Sequence, residues 1–175
     1  EGSYSTASVD QDNDNAGGTT NNATINQFGN GTGSADQNEA SISQDGDGNI
    51  ATTNQGASGA AVNSNLATTA QLGQGNRSDI DQLDQAGGTA AVSQIGDDHN
   101  SIVSQTSDGS QVEVNQSNLN NFSSVIQGRN AGNVYQTNSQ QALINQSGAD
   151  NESWVTQSGS NGDVNLSQSG DNNDS

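Results

Sequence analysis

The chain has 175 residues, of which 26% are hydrophobic and 3% aromatic, and it contains no Pro, Cys or Met. Ordering each residue costs roughly 1.5 kcal/mol while buried apolar surface returns about 25 cal/mol per Å², so aliphatic side chains this few and short exclude an ordinary globular core. Twenty acidic residues against two basic ones give a net charge of −18, which argues against a nucleic-acid surface, and no apolar run approaches the roughly 20 residues needed to cross a bilayer.

Composition taken alone describes an acidic, disordered segment. Spacing says otherwise. Residues 1–22 form an acidic, Gly-rich arm holding one weak unit, Ala7, Val9 and Gln11, and read either as a loose arm or as a first repeat. Regular phrasing begins at Ala23-Thr24-Ile25-Asn26-Gln27 and defines a second region, residues 23–175. Two units follow, ending in Gln44 and Gln55, with long connections before the first (Gly31 to Glu39) and after the second (Gly56 to Leu66). Units at Gln71 and Gln82 come next, and then Gln94, Gln105, Gln116 and Gln127 recur every eleven residues. Gln136, in the short phrase NVYQ, Gln146, Gln157 and Gln168 complete fourteen units.

Each glutamine is preceded by residues of alternating character, the mark of a strand with one face turned inward. Two positions before it stand Val9, Ile25, Ile42, Thr53, Thr69, Ile80, Val92, Val103, Val114, Val125, Val134, Ile144, Val155 and Leu166. Four positions before it nothing larger than Val occurs. These two rows and the glutamines are expected to share the inward face, and no acidic residue falls in any of the three rows. After the strand, Gly stands two beyond the Gln, as at Gly46, Gly73 and Gly148, and Asn five beyond it, as at Asn49, Asn76 and Asn151. Both residue types accept the positive φ angles that sharp reversals need, so the chain is expected to run strand, arc, strand, arc. Stacking such units in register lets identical side chains form ladders, and columns of glutamine amides satisfy one another in a polar interior.

The pattern Gln-x-Gly-x-x-Asn-x5-Gln occurs without departure at Gln44 to Gln55, Gln71 to Gln82 and Gln146 to Gln157, with near matches at Gln94 to Gln105 and Gln116 to Gln127. In this the chain resembles the curlin-repeat family of bacterial extracellular fibre subunits, over nearly everything from residue 23 onward. It departs in carrying mostly Asn, not Ser, six before the glutamine, and in its acidity and long connections. The resemblance implies an all-β fold: a cross-β β-solenoid with two strands per rung, about seven rungs and about 34 Å tall at roughly 4.8 Å per rung. It further implies end-to-end self-assembly into an amyloid-type biofilm fibre, a nucleator subunit, and an outer-membrane secretion channel. The expected location is extracellular, at the cell surface, with the chain starting at Glu1 after loss of a leader.

Chemistry finds little purchase. The one histidine, His99, stands where the turn pattern calls for Asn and reads as a solvated turn residue. With no Cys and with carboxylates scattered over turns, neither a catalytic site, a cofactor site nor a zinc site is expected. The alternative function is a monomeric acidic β-solenoid that folds on calcium and serves as an adhesin or matrix-binding module. Ile102, Ile126, Leu143 and Trp154 break the polar outer face. Ile102, Ile126 and Leu143 fall an even number of units apart and are expected on one side, where they read either as a lateral contact or as scattered apolar residues.

Overall fold

The computed structural model describes residues 5–13, 18–28, 38–56, 64–83, 87–106, 108–128 and 139–175. Among these all regular structure is β, in thirteen strands. In chain order they are β1 (Thr6–Asp12), β2 (Asn22–Gln27), β3 (Glu39–Asp45), β4 (Ile50–Gln55), β5 (Leu66–Leu72), β6 (Arg77–Gln82) and β7 (Thr89–Asp97). There follow β8 (Asn100–Gln105), β9 (Gln111–Leu119), β10 (Phe122–Gly128), β11 (Gln141–Ala149), β12 (Glu152–Ser158) and β13 (Asp163–Ser169).

Odd-numbered strands form one seven-stranded sheet in the order β1-β3-β5-β7-β9-β11-β13, and even-numbered strands form a six-stranded sheet from β2 to β12. Every pairing is parallel, and the chain alternates between the sheets as it climbs, an arrangement compatible with a β-solenoid and not closed into a barrel. Register follows the glutamines without a slip, Gln71 lying beside both Gln44 and Gln94, and Gln105 beside both Gln82 and Gln127. A slip of one residue would turn the whole inward row to solvent, so the alternating pattern holds the alignment.

The inner faces meet in a thin core. Ile80, Val92, Val103, Val114, Val125, Ile144 and Val155 are buried in one cluster that takes strands from both sheets, with Val164 and Leu166 packed against it. Ile42 is buried as well, and Thr53 and Thr69 fill the same row in place of aliphatic residues. Toward the first strands the cover thins: Ile25 and Gln27 are half-buried and all of β1 is exposed. β1 nonetheless pairs with β3 in full register, from Thr6 beside Glu39 to Asp12 beside Asp45.

Among the described residues thirteen strands make the stack. The unit assigned to Val134 and Gln136 lies outside the described residues; β9 pairs directly with β11 and β10 directly with β12. After β10 the described strands keep the alternation, β11 in the odd-numbered sheet and β12 in the even-numbered one. Leu143 sits in the odd sheet, while Ile102 and Ile126 sit in the even one, so the three are not on one side.

Candidate functional site

The inward glutamines build two continuous columns. In the odd sheet Nε2 of Gln11, Gln44, Gln71, Gln94, Gln116 and Gln146 donates to Oε1 of the next glutamine up, ending on Gln168, over 2.6 to 2.9 Å. In the even sheet Gln27, Gln55, Gln82, Gln105 and Gln127 donate likewise, ending on Gln157, over 2.7 to 3.0 Å. All eleven bonds run the same way along the stack.

A second set of bonds fixes that direction. From Gln27 onward each Nε2 also turns a hydrogen across the core to the carbonyl of the first residue of the preceding strand: Gln94 to Arg77 at 2.8 Å, Gln105 to Thr89 at 3.1 Å, Gln146 to Phe122 at 2.8 Å. A carbonyl acceptor demands the NH₂ edge of the amide, so rotating the group by half a turn would set oxygen against oxygen. The amide spans the space between the sheets, which gives a physical reason for the small residues four before each Gln. Ala67, Ala90, Ser101 and Ser123 leave room for it, and Ser123 Oγ donates to Ser101 Oγ at 3.3 Å.

The arcs from odd to even strands are pinned by a third ladder. The backbone N–H groups of Asn49, Asn76, Asn151 and Asn173 donate to Oδ1 of Asn21, Asn49, Asn121 and Asn151 respectively, at 2.9 to 3.1 Å. The side-chain amides reach carbonyls of the arc itself and of the arc above, Asn49 to Gly73 at 2.9 Å and Asn151 to Gly170 at 2.8 Å. The glycines explain themselves: at Gly46, Gly73 and Gly148 φ is +105°, +120° and +107°. A Cβ there would stand 2.2, 2.1 and 2.1 Å from the carbonyl oxygen of the next arc. Four beyond the Gln a second left-handed residue closes the turn, Gly75, Asp98, Asn120 and Asp150 among them. That position carries no single residue type, so its role is hidden in the sequence.

His99 is 1% exposed, not solvated. It occupies the Asn place in the ladder: its own N–H donates to Asn76 Oδ1 at 3.0 Å, and its Nδ1 accepts the N–H of Asn121 at 3.2 Å. Nε2 lies 3.2 Å from the Ile95 carbonyl. Burial pushes its pKa below the usual imidazole value, while the Ile95 carbonyl, Asp97 and Asp98 pull the other way.

On the outside of the even sheet, Ile102 and Trp154 flank Ser124 on neighbouring strands, and Ile126 lies one row over. Trp154 is 58% exposed and rests on Phe122, ring centroids 4.8 Å apart. Leu72 and Ile95, which directly follow their glutamines, are exposed neighbours on the odd sheet. Among the described residues no group of three or more His, Cys, Asp or Glu side chains could hold a metal ion, and no helix is long and apolar enough to cross a membrane. The chain matches no family model and no curated protein.

Proposed function

We propose that the chain is a structural, non-catalytic subunit of an extracellular curli-like amyloid fibre, a β-solenoid of two strands per rung that adds further copies of itself at its open strand edges. The observation that carries this reading is the pair of unbroken glutamine columns. Each level presents to the next the same inward pattern, so a level from a second copy continues the ladders without any new surface having to be built. Within the described residues β1 and β2 present unpaired edges at one end and β13 at the other, while the start of β12 is bridged by Asn173–Ser175. An edge of this kind is a template for pairing, which most proteins hide. Acidic side chains kept off the inner rows repel laterally neighbouring stacks and limit bundling. The curlin resemblance adds the expected partners, a nucleating subunit and an outer-membrane secretion channel, and the role of biofilm matrix and surface adhesion.

Fibre diffraction and electron microscopy of the purified chain test the proposal. Long unbranched fibres with a meridional reflection near 4.8 Å are expected. A chain that stays monomeric at high concentration, with its strands formed and no such reflection, would overturn it.

A further inference from the structure

We propose that His99 makes the stack acid-sensitive: the arcs close around a neutral imidazole, and protonating it opens the coil between the levels of β7–β8 and β9–β10. This concerns folding of the single chain and stands whether or not copies assemble.

Geometry carries it. Everywhere else in this ladder the acceptor for the next backbone N–H is an asparagine Oδ1, which cannot become a donor at any ordinary pH. At His99 the acceptor is Nδ1, facing the N–H of Asn121, while Nε2 faces the Ile95 carbonyl. Only one form of the ring fits both neighbours, the neutral tautomer with its hydrogen on Nε2. A second proton on Nδ1 would set donor against donor in a site 1% exposed, and would bring a full charge there.

The charged groups facing the ring are few. Asp97 and Asp98 belong to its own arc, and both are exposed to water. Asp97 is further engaged by the Gln74 N–H at 2.9 Å. The arc below offers Gln74, Gly75 and Asn76, and the arc above Leu119, Asn120 and Asn121, none of which titrates. Arg77 meets the site through its backbone N–H, which donates to the His99 carbonyl at 2.7 Å. Among the described residues no buried carboxylate is placed against the ring to receive an imidazolium.

The sign follows from linkage. The folded pKa lies below the ordinary 6.5, so between the two values the unfolded chain holds a proton that the folded chain does not. Stability is complete above the ordinary value and falls as pH drops through it, the unfolding constant rising by up to about tenfold per pH unit.

His99→Asn is the discriminating variant, since asparagine serves at the matching places in the arcs above and below. Guanidinium unfolding of the full chain and of H99N, followed by circular dichroism from pH 7.5 to 5.5, is expected to show a stability that falls in the first and is flatter in the second. Carboxylate effects are common to both and cancel. Parallel curves would overturn the proposal. Because the chain has a single histidine, nitrogen-15 spectra of histidine-labelled wild type give a second readout that does not depend on the variant folding. The expected result is the Nε2–H tautomer, titrating below the usual range and together with loss of strand signal. An imidazole that becomes cationic while the strands stay intact would overturn it equally.

Discussion

Gln94 and Gln116 lie side by side on β7 and β9, and the amide of Gln94 donates to Gln116 Oε1 at 2.9 Å while reaching across the core to the Arg77 carbonyl at 2.8 Å. One side chain thus ties a level to its neighbour above and ties the two sheets to each other. In a chain with so little apolar volume, this double use substitutes for the bulk of a hydrophobic interior. Leaving a buried partner unmet costs about 1–3 kcal/mol, so each glutamine is needed mainly by the groups around it.

Replacing Gln105 by Leu is expected to destabilise the chain by about 3 kcal/mol or more, because the Gln82 amide, Gln127 Oε1 and the Thr89 carbonyl all lose a partner. Ser104→Ala, on the outward face of the same strand, is expected to stay within about 0.5 kcal/mol. Guanidinium midpoints measured at unchanged slope check both. Equal losses would mean that the inward column contributes nothing special.

Gly96→Ala and Gly87→Ala separate crowding from backbone preference. At Gly96 an added Cβ would lie 1.9 Å from the Asn118 carbonyl oxygen at φ +125°, whereas at Gly87, φ +71°, it meets nothing within 4 Å. The second change is expected to cost about 1 kcal/mol and the first several times that, or to abolish folding. Thermal unfolding of the two variants side by side gives the comparison.

Asp79 supplies a pH dependence opposite in sign to that of His99. Burial and then repulsion from Asp81 hold its carboxyl above the usual range, while Arg77, 3.8 Å away from the carboxylate, pulls it back. A raised acid binds its proton more readily in the folded chain, so its charge is a penalty acquired as pH rises through the carboxylate range. Asp79→Asn is therefore expected to raise the unfolding midpoint at pH 7, and the gain should vanish below the ordinary Asp pKa. A variant that is less stable than wild type at pH 7 would contradict this.

Chelation is expected to leave the fold untouched. Since the described residues hold no cluster fit for a metal, circular dichroism in EDTA should match that in millimolar calcium. Strand content that grows on adding calcium would favour the calcium-dependent adhesin reading over the fibre subunit.

Much of this architecture is legible in the sequence because a strand has period two. With Val at 92, 103, 114 and 125 and Gln two residues later, the inward face can be read by counting. The direction of the amides cannot be read so, since it depends on backbone carbonyls that bear no residue identity. His99 looked like an exception to the Asn rule, when its Nδ1 performs the same task as Oδ1. The arcs explain one further regularity. From Gln44, Gln71, Gln94, Gln116 and Gln146 the next glutamine always follows after eleven residues, while every other interval after Gln27 varies. The constant arcs are those closed by the asparagine ladder and the glycine contacts, where one extra residue would break both.

The shared orientation of the side-chain amides gives the object a sense of up and down that its parallel backbone, with carbonyls pointing alternately both ways, does not. Dipoles of one sign add along the axis, leaving unpaired oxygens to face one way and unpaired hydrogens the other. In the fibre proposed above, a newcomer turned upside down would press like against like, so growth by addition would admit a single sense of arrival and leave the two tips chemically different surfaces.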